Sequence, residues 1–300
     1  MIMRGKAIFA GLMLPLLGAV ASAQVNSSVN PNVAAPNDLY CSGIVTTESV
    51  PRDTFVITGE ESNVRVIFNE GDNVFVNKGA DQGVKVGDEF FVVRNVKDTG
   101  GIEWTKWQNS ILRKMGTVWE DEGRLRVTTV HKDVSIAVIE HGCSYIQRGD
   151  IVLPFTERPA PPIKSAADFD HFAPADGKAM AMVVTGKYFQ QEVGREDVVY
   201  VNLGSGQGVK VGDYFRIFRY TGTQNETAYQ TPRYAFDMES GYSIADVHGF
   251  GSVPKRYNWS NVPREAVGEG VVLRTGPDSA TVLITFSLRE IYAGDYVELE

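Results

Sequence analysis

The sequence predicts an all-β protein built from two tandem modules, and three observations carry that prediction. A stretch beginning at Val74, VFVNKGADQGVKVGDEFFVVR, returns 125 residues later at Val199 as VYVNLGSGQGVKVGDYFRIFR, with 13 of 21 positions identical. Around both copies lie short runs of β-branched and aromatic residues bounded by Gly, Asn and Asp, the composition of strands and turns. Between the copies stands PFTERPAPPIKSAADFD, whose Pro154, Pro159, Pro161 and Pro162 exclude a helix or a central strand and favour a semi-rigid extended spacer. Module 1 is therefore expected over residues 39–155, a Pro-rich linker over 156–168 and module 2 over 169–300.

The N-terminus comes first in the chain. Arg4 and Lys6 precede an apolar run from Ala7 to Val20, and Ala21-Ser22-Ala23 has the small-residue pattern of a cleavage site. A signal peptide over residues 1–23 follows, and with it export to the periplasm or an outer-membrane-associated position. Residues 24–38, rich in Asn, Ser and Pro, are expected to be flexible. The later apolar runs, such as AMAMVV and TVLITF, are strand-sized, so no transmembrane segment is expected in the mature chain. Loss of the two basic residues takes the formal charge from −8 to about −10. An acidic chain without clustered Lys and Arg does not suit nucleic acid.

Cys41 and Cys143 are the two cysteines. In an oxidising compartment an even pair is expected to form a disulfide, here tying the start of module 1 to its end. His141 raises the competing idea of a Cys nucleophile, but residues two apart on a strand sit roughly 6.6 Å apart, so sequence proximity proves no dyad.

The repeated turn is structural in composition. Asn77 and Gly79, with Asn202 and Gly204 in the second copy, are residues that tolerate left-handed backbone angles, and Gly83 and Gly87, with Gly208 and Gly212, bracket the Val-Lys-Val that follows as further turn residues. Asp88 and Asp213 can accept backbone hydrogen bonds and close the turn. Val84 and Val86 are expected on one buried face with Lys85 in water. Gly87 leads into a strand and not a helix, so the segment is not a phosphate loop. The tripeptide Arg148-Gly149-Asp150 matches Ala293-Gly294-Asp295 in position and reads as the last turn of each module.

Each copy carries an insertion, about 20 residues from Arg94 to Met115 and nearly 50 from Arg219 to Gly268. Trp104 and Trp107 in the first, and Tyr234, Phe236, Tyr257 and Trp259 in the second, are candidates for binding a protein partner or a glycan. The four histidines form no HExxH pair, no GxSxG elbow occurs, and the run Glu120-Asp121-Glu122 reads as a solvated loop. No metal, no cofactor and no catalysis are expected.

The order of the Val199 stretch, an insertion, and then VGEGVVLRTGPDSATVLITFSLREIYAGDYVELE resembles the small β-barrel module at the C-terminus of the flagellar assembly protein FlgT and of exported bacterial proteins that often carry LysM domains. The glycine turn is also similar to one in the β-barrel domains of the cell-shape protein MreC. The resemblance covers most of residues 40 to 300 and implies two small SH3-like barrels with aromatic-rich insertion loops. It further implies a periplasmic or envelope-associated scaffold without enzymatic activity, and together with the export signal and the lack of catalytic motifs the expected function is a non-catalytic structural or adaptor protein of the cell envelope, binding an envelope protein complex through the insertions, especially Tyr234 to Trp259. Peptidoglycan or polysaccharide binding through Trp104, Trp107 and Trp259 is the alternative.

Overall fold

Runs such as Asn73-Val74-Phe75-Val76 alternate between two faces, while Val198-Val199-Tyr200-Val201 is apolar throughout, and both form strands. The computed structural model describes residues 33–98, 103–220 and 263–300. A short helix, α1 (Pro36–Tyr40), precedes β1 (Ile44–Thr46), β2 (Val56–Gly59), β3 (Ile67–Phe68), β4 (Asn73–Val76) and β5 (Glu89–Val96). Helix α2 (Gln108–Met115) then leads to β6 (Thr117–Val130), β7 (Ser135–Gly142), β8 (Ile146–Gln147) and β9 (Ile151–Pro154). The second half holds β10 (Met180–Gly186), β11 (Glu192–Val193), β12 (Val198–Val201), β13 (Tyr214–Arg219), β14 (Glu265–Thr275), β15 (Ala280–Ser287), β16 (Ile291–Tyr292) and β17 (Tyr296–Leu299). The fold is all-β, as the composition predicts.

Both halves share one antiparallel strand order. The sequence β2-β4-β7-β6-β5-β9 in the first is repeated as β10-β12-β15-β14-β13-β17 in the second. The small pair β3–β8 recurs as β11–β16. In the second half β10 pairs with β17 from Met180↔Glu298 to Met182↔Tyr296, which closes a barrel. In the first half the corresponding seam is looser, with a Phe55↔Ile151 bridge and hydrogen bonds from Val56 N to Asp150 O and from Val152 N to Thr54 O, both 2.9 Å. Pro51 and Asp53 lead into β2 there, residues poorly suited to a strand, whereas Met180-Ala181-Met182 lengthen β10. This half is therefore a seven-stranded sheet, with β1 added along β6.

The turns follow one rule, repeated three times in each half. A left-handed residue precedes an Asp whose carboxylate accepts the N–H three residues back. Asp72, Asp88 and Asp150 accept from Asn69, Lys85 and Gln147 at 2.8, 2.9 and 2.7 Å. Asp197, Asp213 and Asp295 accept from Gly194, Lys210 and Tyr292, each at 2.8 Å. Five of the preceding residues are Gly and the sixth is Glu196, at φ 72. Gly83 and Gly208 are also left-handed, at φ 82 and 91.

Asn77 and Gly79 differ from expectation, as do their second copies Asn202 and Gly204. Gly79 and Gly204 are extended, at φ −135 and −138. They are needed for close approach: a Cβ would lie 2.5 Å from His131 O at Gly79 and within 2.3 Å of Gly276 O at Gly204. Asn77 serves through its side chain, accepting from Phe55 N at 2.6 Å and donating to Asp53 O at 2.8 Å, while Asn202 accepts from Met182 N at 2.8 Å. Val86 is also not buried. The chain reverses between Lys85 and Asp88, which leaves Val84 in the core and turns Val86 outward.

Each half has its own apolar core, built around Val74, Val76, Phe90 and Leu125 in the first and around Val199, Val201, Phe215 and Val272 in the second. A third core joins them. Ala34, Leu39, Val45, Met115 and Val118 from the first half pack with Val184, Val198, Tyr200, Leu273 and Leu283 from the outer face of the second. That accounts for a strand buried on both faces, Val199 and Val201 inward and Val198 and Tyr200 toward the neighbouring half. The Tyr200 hydroxyl donates to Ser42 O at 3.1 Å, and Thr281 Oγ1 donates to Gly43 O at 3.2 Å.

The Pro-rich segment lies along this junction. Val33 bridges to Pro162 and Ala34 N donates to Pro161 O at 3.0 Å, so the end of the N-terminal segment expected to be flexible is packed in place. Lys164 N donates to the Tyr214 hydroxyl at 2.6 Å, and Lys164 Nζ pairs with Glu300 at 2.6 Å. No helix among the described residues is long and apolar enough to cross a membrane.

Candidate interaction surface

Three groups of side chains could carry function: the first insertion, a buried charge cluster on β6, and the cysteine pair. The insertion is not a free loop. Its second part forms α2, which turns Ile111, Leu112 and Met115 into the core between the halves. Trp107 opens the helix in a left-handed conformation, φ 72. Gln108, buried at 4 % exposure, is the brace. Its Nε2 donates to Val184 O and to Gln191 Oε1, both at 2.7 Å, and its Oε1 accepts from Trp104 N at 2.9 Å. Gln191 in turn donates to Phe189 O at 3.0 Å.

Two aromatic pairs stand at either end of that brace. Trp104 and Trp107 are 41 % and 65 % exposed. Tyr188 and Phe189 are both held at positive φ, 56 and 59. Bulky residues rarely adopt that backbone, and each such position costs on the order of 1–3 kcal/mol. Beside them a cleft of about 440 Å³ is lined by Asn95, Lys97, Asn109, Arg113, Val118 and Phe189, among others. Among the described residues, Asp98 is the one carboxylate on its wall. Tyr234, Phe236, Tyr257 and Trp259 lie outside the described residues.

The acidic run Glu120-Asp121-Glu122 is not a solvated loop. It lies within β6 and all three residues are buried. Distant arginines compensate it. Arg158 Nη1 and Nη2 donate to the two Asp121 oxygens at 3.0 Å, Arg274 Nη1 lies 3.2 Å from Oδ2, and Gly43 N donates at 2.9 Å. Burial alone would raise the Asp121 pKa, but Arg274 and Arg158 overcome it and hold the carboxylate below its ordinary range. This one group ties together the first half, the Pro-rich segment and the second half.

Glu122 behaves oppositely. Arg94 Nη1 is 3.2 Å from its Oε1, yet neither oxygen accepts a hydrogen bond from the described residues. Burial pushes its pKa up to about 7, against the pull of Arg94. Arg94 is committed elsewhere, donating from Nε and Nη2 to Asp150 at 2.8 and 2.7 Å. The second half repeats that clamp, with Arg219 donating to Asp295 at 2.7 and 2.8 Å. Both arginines are identical positions of the repeat, and both aspartates end its last turn. The signal for the pairing was therefore present, although sequence reading took each residue separately.

Cys41 and Cys143 form a disulfide, with Cα atoms 5.3 Å apart. His141 on β7 approaches Cys41 at the end of α1, its Nε2 3.5 Å from Cys41 Sγ and 3.2 Å from Asn37 Oδ1. Sequence reading found no metal cluster, yet the ligand atoms of Cys41, His141 and Cys143 lie within 4.8 Å of one another. Of the other histidines, His171 Nδ1 is 2.7 Å from Ala266 O, and His131 packs by its backbone against Gly79. His248 lies outside the described residues.

Comparison with models of known protein families finds none that matches this chain, and comparison with curated proteins finds no match either.

Proposed function

We propose that this chain is a non-catalytic structural or adaptor protein of the bacterial cell envelope that holds a protein partner through its insertions. The observation that carries the reading is the mounting of the first insertion. Gln108 and the apolar face of α2 anchor it across both halves, while Trp104 and Trp107 remain exposed. Rings held on a rigid base lose little freedom on binding, which suits them as interface anchors. Tyr234, Phe236, Tyr257 and Trp259 extend the same role to the second insertion, and the N-terminal export signal supplies the compartment.

Crosslinking in cells followed by capture of the tagged chain tests this. Trp104→Ala with Trp107→Ala, and separately Tyr257→Ala with Trp259→Ala, are expected to reduce recovery of a defined protein complex by about tenfold or more. Thermal stability of the variants should stay close to that of the parent, because the two indoles contribute little to the core. Unchanged recovery in both double variants would remove these surfaces from the account. A second reading, glycan binding, is favoured by the exposed indoles, which are flat platforms for sugar rings. Cosedimentation with purified peptidoglycan, lost in the Trp104/Trp107 variant, would move the assignment there.

A further inference from the structure

We infer that the cysteine pair is a redox-gated metal site: once the disulfide is reduced, Cys41, Cys143 and His141 bind a divalent zinc-like cation, with Asn37 Oδ1 at the fourth corner. The geometry around Cys41 points to it. A tetrahedral zinc centre with Zn–S near 2.3 Å and Zn–N near 2.0–2.1 Å places neighbouring sulfur and nitrogen ligands about 3.5 Å apart. Cys41 Sγ and His141 Nε2 are 3.5 Å apart, Cys41 Sγ and Asn37 Oδ1 3.4 Å, and His141 Nε2 and Asn37 Oδ1 3.2 Å. Three corners of a tetrahedron thus stand in place while the disulfide is intact. Reduction frees Cys143 Sγ, held beside them, to move away from Cys41 and supply the remaining corner, completing a site of two thiolates, His141 and Asn37.

The surroundings fit a metal-binding imidazole. Ligation through Nε2 leaves Nδ1–H on the side of Glu70, whose Oε2 is 4.0 Å away, beyond hydrogen-bond range but close enough for a small side-chain rotation to make the carboxylate–histidine hydrogen bond of a metal-binding imidazole. Glu70 is itself positioned, accepting from Gly142 N at 3.2 Å. The ligands come from two elements: Asn37 lies in the first turn of α1 and Cys41 caps its end, joined by a 3.0 Å hydrogen bond from Cys41 N to Asn37 O, while His141 lies next to the end of β7. Cys143 is fixed by its own N–H, which donates to Glu122 O at 3.0 Å. His141 is 39 % exposed, so an ion can enter from solvent.

The electron count is that of thiol–disulfide exchange. A dithiol reductant gives two electrons and two protons to the Sγ–Sγ bond and becomes a disulfide itself. The two thiols then release two protons to water as they ligate the cation, so two thiolates neutralise its charge. Metal and disulfide compete for the same sulfurs and exclude each other.

Cobalt titration of the full-length protein tests the inference, before and after reduction by a water-soluble phosphine, which takes oxygen from water to become a phosphine oxide. The reduced protein is expected to bind one Co²⁺ with the visible bands of a tetrahedral site and a thiolate charge-transfer band, displaced by Zn²⁺, and the oxidised protein to show neither. His141→Ala keeps the disulfide and should weaken Co²⁺ binding by the reduced chain at least tenfold, with Glu70→Gln weakening it about tenfold. Circular dichroism of the reduced chain should retain the β signal. Reduced protein that unfolds, that binds no Co²⁺, or that binds it equally well without His141 overturns the inference.

Discussion

Glu122 and Asp121 are neighbours on β6 and titrate in opposite directions. The Glu122 carboxyl is raised from 4.5 to about 7 by burial. Between those values the folded chain binds more protons than the unfolded one, so Glu122 makes stability fall as pH rises through that window. Glu122→Gln should flatten that part of a plot of urea midpoint against pH; an unchanged slope would contradict the assignment. Asp121 is held below its ordinary value, so its contribution is present at neutral pH and is lost as pH falls through the acid range. Asp121→Asn leaves the part-buried Arg158 and Arg274 against a neutral group and is expected to cost about 3–5 kcal/mol in chemical denaturation. None of this was legible in the local sequence. Three consecutive acids look solvated until their partners are known, and those partners are 37 and 153 residues away.

Strands and turns were the legible elements, because each turn needs a left-handed residue and an aspartate at fixed spacing and both appear in two copies. The reason for Gly79 was not legible: extended glycines chosen for close approach look the same in sequence as those chosen for backbone angle. Helix α2 was missed for another reason. Gln108–Met115 is eight residues long, too short to form on its own propensity, and it forms by packing Ile111, Leu112 and Met115 against the second half. Gln108 is the latch of that packing. Gln108→Ala leaves Val184 O without this donor and is expected to cost about 1–3 kcal/mol. Hydrogen exchange should then quicken over Gln108–Met115 and much less over β12, whereas uniform protection throughout would rule out a latch.

The two halves form a body with a shared core, and the sequence held a sign of it. Aligning the copies sets Asn73 and Phe75 against Val198 and Tyr200. In the first copy those outward positions are only partly buried, while in the second they are apolar and covered by the neighbouring half. Proline density predicts a semi-rigid extended spacer but not what it lies against. Its contacts run along the junction, from the Pro161 carbonyl to Arg158 on Asp121 and Lys164 on Glu300. Differential scanning calorimetry of the purified protein tests this most directly. One transition, with calorimetric and van't Hoff enthalpies equal, is expected for the parent, and weakening of the junction by Tyr200→Ala should split it or lower it by about 3–5 kcal/mol. Two independent transitions in the parent, with only one of them moved by Tyr200→Ala, would contradict a shared core.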